Sequence, residues 1–233
     1  MRFADPHCHT DASDGMVRPQ ELVDAAVGAG LDLIAVTDHD TMAAVEETRR
    51  RGAEAGLAVV AGQEITTGWP AQTHLMGWFL DGPVKTGMSL ADTVAAIHDR
   101  GGLAIVPHPF MPTYFGSIQP RMLLELIEKT AVDGIELVFT APLGARRRRR
   151  LEDFYARYKD RLGAPVGGSD CHFGGFDLAS VVTGFDGDFR AAVERRTTQP
   201  MRRRTSAVPP SVVARQQWRS LVQLPLRRLR GQL

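Results

Sequence analysis

The chain has 233 residues, of which 43% are apolar and 24% are charged, and its formal net charge is +1. This length predicts one globular domain with room for an appendage, and the balanced charge argues against a uniformly basic nucleic-acid binder or a uniformly acidic disordered chain. The charge is unevenly divided, because residues 190–233 contain eleven arginines and one acid, which gives +10 there and −9 over residues 1–189. All seven histidines lie in the acidic part.

Cysteine content and hydropathy bear on the compartment. Two cysteines cannot build a disulfide framework, and the apolar runs are far shorter than the ~20 residues that cross a bilayer. No charged start followed by an apolar run precedes the first polar cluster. We therefore expect a cytoplasmic protein without an integral membrane segment, and the sequence leaves the oligomeric state open.

Short apolar runs rich in β-branched residues alternate with longer runs whose apolar residues recur three and four apart. This alternation is typical of a parallel α/β domain. Seven strands joined mostly by helical crossovers are enough for a βα barrel. The predicted strands are Arg2–Pro6, Asp32–Thr37, Ala58–Glu64, Thr73–Phe79, Leu103–Pro107, Gly134–Phe139 and Ala164–Gly168. The predicted helices between them are Arg18–Ala29, Met42–Ala55, Ser89–Arg100, Pro120–Ala131 and Gly144–Arg161.

The pattern changes towards the C-terminus. A further strand is possible at Val181–Phe185, and a last helix is predicted at Phe189–Arg196. Beyond that helix the chain is rich in arginine and repeatedly broken by proline. We therefore predict a barrel over residues 1–196 and a basic tail over residues 197–233, in which Ser211–Leu224 could form a helix.

The strongest local pattern follows the first predicted strand directly. His7 and His9 flank a cysteine, and residues two apart in an extended segment share a face, so both imidazoles point the same way. Asp14 follows on the loop as an oxygen donor. Asp11 competes with it, but the Ser-Asp-Gly turn favours Asp14. Two imidazoles and a carboxylate at a strand end suit a first-row metal ion.

The same alternation recurs after the seventh predicted strand, at Asp170 and His172. We expect all of these donors at or just past the C-terminal ends of strands, which in a parallel barrel is the rim that carries the active site. Four further donors are placed on the same rim: His39, Glu64, His74 and His108.

Other polar residues near these motifs have less specific interpretations. Cys8 and Cys171 lie between proposed ligands, so alternation sends them to the opposite face as packing residues. The remaining donors are nitrogen and oxygen, which fits Zn, Mn or Fe. His98, within a helix, is interpreted as a surface or packing residue. Asp38 or Asp40 could cap the helix that begins near Met42.

These motifs together resemble those of the PHP family, the polymerase and histidinol phosphatase domain. The segments that carry the resemblance are HCHTDASDG, TDHD, Glu64 in GQEIT, His74 in HLMGWF, His108 in PHPF, and Asp170 and His172 in GSDCH. The resemblance covers residues 3 to about 200. It implies a distorted seven-stranded βα barrel, similar to a TIM barrel, that hydrolyses phosphoesters with a multinuclear metal centre on its rim.

The resemblance also implies a ligand set and a mechanism. His7, His9, Glu64 and Asp170 would hold a first ion. Glu64 would bridge to a second ion completed by His74 and His108, and Asp14, His39 and His172 would hold the third. Two or three divalent ions can activate water for in-line attack on a phosphate and neutralise its oxygens. No amino-acid nucleophile is then required.

The substrate class follows less directly. The compact form, with Asp14 in the first motif, is similar to family members that act on nucleotides and short nucleic-acid ends. We therefore expect a phosphorylated small-molecule substrate, with nucleic acid as a possible one. Those relatives usually have an extra segment between these motifs that helps to enclose the substrate, whereas only 33 residues separate His74 from His108 here, so the resemblance implies a more open site. Tyr114 and Phe115, in the loop after His108, are candidate substrate contacts, with simple packing as the alternative. The five consecutive arginines at residues 146–150 are interpreted as a solvated helix surface.

Two other functions remain open. One is a binding or regulatory module whose metal centre is structural and whose basic tail docks on nucleic acid or an anionic surface. The other is hydrolysis at carbon, as in amidohydrolase barrels, which generally place a lysine between their metals. The chain has only Lys85, Lys129 and Lys159, and none is convincingly at a strand end.

Overall fold

The computed structural model describes residues 1–69, 71–112, 116–141, 143–205 and 208–223. Its strands are β1 (Arg2–Cys8), β2 (Leu33–Val36), β3 (Ala58–Thr66), β4 (His74–Trp78), β5 (Leu103–Val106), β6 (Gly134–Phe139), β7 (Ala164–Gly168), β8 (Val181–Phe185) and β9 (Gln199–Arg202). Its helices are α1 (Pro19–Gly28), α2 (Val45–Ala55), α3 (Leu90–Asp99), α4 (Pro120–Lys129), α5 (Ala145–Leu162), α6 (Phe189–Glu194) and α7 (Pro210–Trp218). A short 3-10 turn, Gly174–Phe176, follows β7, and a wider helical turn, Arg219–Gln223, continues α7.

The nine strands form one sheet in the order β7-β6-β5-β4-β3-β2-β1-β8-β9. The edge strand β7 also contacts the other end of the sheet. The Gly167 amide donates to the Thr183 hydroxyl at 2.8 Å, and the Thr198 hydroxyl donates to the Pro165 carbonyl at 2.7 Å. The sheet is therefore a nearly closed barrel, as the α/β barrel prediction requires.

The expected count of seven strands is wrong, because β8 and β9 extend the sheet beyond β1. The first of these is the further strand that the sequence suggested over Val181–Phe185. The second, with the sequence QPMR, lies inside the predicted tail and gave no strand signal, since it has no β-branched residue and contains Pro200. It pairs only with β8, and proline is tolerated on such an edge strand. The division of the chain at residue 196 stays a prediction.

The sheet is mixed rather than parallel. The pairs β1–β2, β2–β3, β5–β6 and β6–β7 are parallel, whereas β4 is antiparallel to both neighbours and β8 is antiparallel to β1 and β9. The connection from β3 to β4 spans only residues 67–73, which is too short for a crossover between parallel strands, so β4 reverses direction. The start of β4 therefore lies on the rim where the parallel strands end.

The interior face of the barrel is apolar at one end and polar at the other. Leu33, Ala35, Val60 and other alternate residues of the strands form a buried cluster, against which Phe189 of α6 packs. Further along the same faces of β3 and β4 come Glu64 and His74, because side chains two apart share a face. The apolar end therefore supports the polar rim.

A β-bulge in β1 changes which residues of that strand face the interior of the barrel. The pairing of β1 with β2 shifts register between Asp5 and Cys8. Ala4 belongs to the interior cluster, yet His7 and His9 have the opposite parity and still reach the interior side of the rim. The extra residue of the bulge allows this change of face.

Thr183 offers a test of barrel closure. Its buried hydroxyl accepts from the Gly167 amide and donates to the Gly167 carbonyl, both at 2.8 Å. Thr183→Val leaves the Gly167 amide and carbonyl without the hydroxyl that they bond. We therefore expect a loss of about 1–3 kcal/mol in the free energy of unfolding, measured by denaturant titration. Thr48→Val in α2 is the matched control, since the buried Thr48 hydroxyl bonds the Ala44 carbonyl that already accepts from the Thr48 amide. Equal losses in the two variants would contradict this account of closure.

Candidate metal centre

The structure brings all nine predicted ligands together at one end of the barrel. His7 lies near the end of β1, His9 and His39 follow β1 and β2, and Glu64 lies near the end of β3. His108 follows β5, Asp170 and His172 follow β7, and Asp14 lies on the loop after β1. His74 is the exception to the expected placement, because it begins β4 rather than ending a strand. It reaches the rim because β4 runs antiparallel to its neighbours.

Glu64 is the centre of the cluster and is fully buried. Its Oε1 atom lies 2.8 Å from His74 Nδ1 and 2.9 Å from His108 Nε2. Its Oε2 atom lies 3.2 Å from the Nε2 atoms of both His7 and His9, and 3.4 Å from His39 Nδ1. Burial opposes ionisation of this carboxyl, but the facing imidazoles outweigh burial and hold the Glu64 pKa well below its usual range.

Asp170 faces Glu64 across the first two imidazoles. Its Oδ1 atom lies 3.3 Å from His7 Nε2 and 3.2 Å from His9 Nε2. Ligand atoms of His7, His9, Glu64 and Asp170 all lie within 4.8 Å of one another. Asp170 has a φ of 55°, a left-handed backbone conformation that is uncommon outside glycine. Such strained backbone clusters at functional sites.

Asp14 anchors a second group. Its Oδ1 atom lies 3.1 Å from His172 Nε2, 3.8 Å from His39 Nε2 and 3.9 Å from His9 Nδ1. Burial disfavours the charged form of His172, yet Asp14 and Asp170 together raise its pKa to about 10. His39 differs, because burial lowers its pKa to about 3. The carboxylate therefore lies among imidazoles in contrasting environments.

A third group consists of His39, Glu64 and His74. The grouping differs in two details from the one that the family resemblance implies. His9 joins Asp14, His39 and His172, and His39 rather than His108 completes the set around Glu64 and His74. His108 still contacts Glu64 through its Nε2 atom.

Several ligand atoms are buried without a hydrogen bond. Among the residues that the structure describes, both ring nitrogens of His9, Asp14 Oδ1 and His74 Nδ1 make no hydrogen bond, because their contacts given above lack the distance or the angle that a hydrogen bond requires. A buried polar atom left unsatisfied costs free energy, typically about 1–3 kcal/mol. Imidazole nitrogens and carboxylate oxygens directed at one another are the donors that divalent transition metals prefer. The arrangement fits bound cations.

Glu136 is a functional residue that the sequence interpretation missed. Its Oε1 atom lies 3.0 Å from His7 Nδ1, and its Oε2 atom accepts from the His108 amide at 2.7 Å. A carboxylate that holds the distal nitrogen of a ligating imidazole fixes its tautomer and orientation. Gly168 makes room for this contact, since a Cβ there would lie 2.5 Å from Glu136 Oε1 and 2.6 Å from His7 Cβ. The available signal was an acid inside the apolar strand GIELVF.

Asp38 and Asp40 support loops rather than cap a helix. Asp38 is buried and accepts from the Thr10 amide and hydroxyl, both at 2.7 Å, and from the Ser13 hydroxyl. These bonds hold the loop that carries Asp14. Asp40 accepts from the Thr66 amide and hydroxyl. The capping suggestion was therefore wrong, and α2 begins without a side-chain cap.

The other sequence interpretations have mixed outcomes. Cys8 and Cys171 are buried free thiols in the apolar packing beneath the rim, as predicted. His98 is partly exposed on α3 and pairs with Asp133, which confirms a surface role. The arginines at 146–150 are exposed on α5. Tyr114 and Phe115 lie outside the described residues, so the proposed substrate contacts stay a prediction.

Two cavities adjoin the cluster. One, of about 200 Å³, is lined by His39, Glu64, His74, His108, Asp170 and His172 together with the loop residues Met111, Gly116 and Ser117. The other, of about 410 Å³, lies between Asp14, Asp170 and His172 on one side and α7 on the other. Within the described residues no helix is long and apolar enough to cross a membrane, and the cytoplasmic location stays a prediction.

Curated relatives match parts of the chain. A 5′-3′ exoribonuclease of Haemophilus influenzae is 33% identical over 102 residues, which are 43% of this chain and 37% of that protein. A 3′,5′-nucleoside bisphosphate phosphatase of Chromobacterium violaceum is 33% identical over 82 residues, which are 35% of this chain and 29% of that protein. The chain thus matches less than half the length of either relative.

The fold also matches a solved structure. A protein of Bifidobacterium adolescentis assigned as a metal-dependent phosphoesterase superposes with a TM-score of 0.63 at 21% identity, covering 74% of this chain and 88% of that one. At this identity the likeness concerns the fold alone. The PHP domain family matches residues 5–195, which include all nine clustered donors. This chain is a member of the PHP family.

Proposed function

We propose that the chain is a metal-dependent phosphoesterase that hydrolyses a phosphate monoester of a nucleotide or of a short nucleic-acid end. The observation that carries the proposal is the convergence of buried, hydrogen-bond-deficient imidazole and carboxylate atoms around Glu64. The curated relatives, an exoribonuclease and a nucleoside bisphosphate phosphatase, support the substrate class. The two or three ions would be Zn, Mn or Fe, because the donors are nitrogen and oxygen.

The clustered residues divide into three sets of ligands. His7, His9, Glu64 and Asp170 would hold one ion. A second would lie among Glu64, His74 and either His39 or His108. A third would lie beside Asp14, His39 and His172, with His9 close enough to contribute. Glu64 contributes to two sets, which is the role expected of a bridging carboxylate.

Bound divalent ions would supply an activated water and the positive charge that a phosphate ester requires. The protein supplies the orientation of the ligands. Glu136 contacts Nδ1 of His7, the ring nitrogen that does not face Glu64, and Asp38 accepts hydrogen bonds from the loop that carries Asp14. Without cations the carboxylates would repel a phosphate, so the charge of −9 over residues 1–189 is consistent with a site that expects several cations.

Hydrolysis at carbon has less support. Amidohydrolase centres generally use a lysine between metals, whereas Lys129 and Lys159 lie on α4 and α5, and Lys85 lies in the loop before α3. Glu64 occupies the central position instead. A phosphoester is therefore the favoured substrate.

Chelation tests the metal requirement. We expect the chelator-stripped protein to release no phosphate from 3′,5′-bisphosphonucleotides or 5′-phosphorylated oligonucleotides, and Mn²⁺ or Zn²⁺ to restore turnover, because the carboxylates alone cannot accept a phosphate. Phosphate release is measured across nucleotides, bisphosphonucleotides, sugar phosphates and short oligonucleotides. Full turnover by a protein with no detectable metal would contradict the proposal.

A matched pair of histidine variants tests the assignment of the site. His9→Ala removes a ligand shared by two groups, so we expect kcat/KM to fall by more than the ~10–100-fold typical of losing a supporting partner. His98→Ala is the same substitution on the exposed face of α3 and leaves turnover unchanged. If both variants kept wild-type kcat/KM, the cluster would not be the active site.

Glu136→Gln tests the supporting carboxylate. Its two oxygens face the His7 ring nitrogen and the His108 amide, and an amide side chain can accept from only one of these groups. We expect metal affinity to fall by about 10–100-fold, measured by competition with a chromogenic chelator. Glu125→Gln, on the surface of α4, is the control and keeps wild-type affinity. Unchanged affinity in Glu136→Gln would show that the His7 ring is held without this contact.

A further inference from the structure

Helix α7 lies against the loop that carries Asp14. Along this helix Gln216 is the buried residue, with 5% of its surface exposed, whereas its neighbours Arg215, Gln217 and Trp218 are exposed. A buried amide side chain needs hydrogen-bond partners. The contacts of Gln216 therefore indicate what this helix contributes.

The Gln216 amide is held between two polar groups. Its Nε2 atom donates to Asp14 Oδ2 at 3.0 Å, and its Oε1 atom accepts from Gln217 Nε2 at 2.9 Å. The direction of the first bond is fixed because a carboxylate can only accept. The Asp14 carboxylate thus has Oδ2 tied to Gln216 and Oδ1 directed at His172 Nε2, 3.1 Å away.

Two arginines fasten this segment to the rim. Arg219, directly after α7, donates to the carbonyls of Asp11 and Ser13 in the Asp14 loop. Arg204, between β9 and α7, donates to the carbonyls of Gly175, Phe176 and Leu178 at 2.8–2.9 Å. The second loop is the one that follows His172. The segment is therefore bonded to the loops on both sides of the site.

The helix also forms one wall of the larger cavity at the centre. Val213, Gln216, Gln217 and Ser220 line it opposite Asp14 and His172. Gln216, the buried residue of α7, is thus directed at the group of Asp14.

We propose that Gln216 is a positioning residue that orients the Asp14 carboxylate for the ion held with His9, His39 and His172. This inference rests on the proposed metal centre. Binding one carboxylate oxygen leaves the other directed at the ion, and such supporting partners are typically worth about 10–100-fold in metal affinity. The C-terminal segment is then part of the site that it covers.

The test uses the full-length protein and measures metal rather than activity. Gln216→Met keeps the length of the side chain and removes the donor, so we expect one ion to bind about 10–100-fold more weakly while the others keep wild-type affinity. Gln216→Glu keeps the shape and replaces the donor by an acceptor facing Asp14, and we expect at least as large a loss. Arg215→Ala, an exposed neighbour on the same helix, is the control. Affinities are measured by competitive chelator titration with Mn²⁺ or Zn²⁺, and Co²⁺ absorption reports the change in coordination of the affected site.

Equal affinities and Co²⁺ spectra in Gln216→Met and the wild type would overturn the proposal, as would Asp14→Asn binding every ion with wild-type affinity. Thermal unfolding of the metal-free proteins separates loss of fold from loss of metal. If Gln216→Met does not fold, Gln216→Glu decides by the same criterion. The readout is independent of catalysis: a chain that releases phosphate from no substrate but loses one ion in Gln216→Met refutes the phosphoesterase proposal and supports this one.

Discussion

The fully buried carboxylate of Glu64, with five imidazoles around it, is the constraint on which the rest of the structure depends. Burying a charge is costly unless it is paired and hydrogen-bonded. Within the described residues, however, both nitrogens of His9 and one oxygen of Asp14 remain without a hydrogen bond. Divalent cations would satisfy these atoms, and the surrounding fold holds the imidazoles and carboxylates in place.

The barrel holds these side chains in place through contacts between segments that are distant in the sequence. A bulge in β1 turns His7 towards the interior, Gly168 leaves space for Glu136 behind it, and Thr183 closes the sheet between β7 and β8. The antiparallel β4 delivers His74 to the same rim. The bulge, Gly168 and β4 each bear on the position of an imidazole or carboxylate, and Thr183 bears on the closure of the barrel. Their combined effect is a preorganised cluster, which limits the reorganisation needed when cations bind.

The clustering of these donors could be predicted from the sequence because strand alternation is local, whereas the contacts that support them could not. Two donors with one residue between them can be recognised from three residues of sequence, as at His7 and His9 or at Asp170 and His172. Glu136 was missed because its partner His7 is 129 residues away, and Gln216 because Asp14 is 202 residues away. The strand β9 was missed because QPMR has no strand propensity and pairs only through β8. The reversal of β4 depends on a short connection whose direction the alternation of apolar residues does not specify.

We propose that this cluster holds more than one divalent ion and that Glu64 contributes to two of the sites. The most direct test is anomalous X-ray diffraction from crystals grown with Mn²⁺ or Zn²⁺, recorded on both sides of the metal absorption edge. We expect at least two anomalous peaks among the nine clustered donors, two of them beside the Glu64 carboxylate. The absence of any peak beside Glu64, or peaks confined to exposed surface acids, would contradict it.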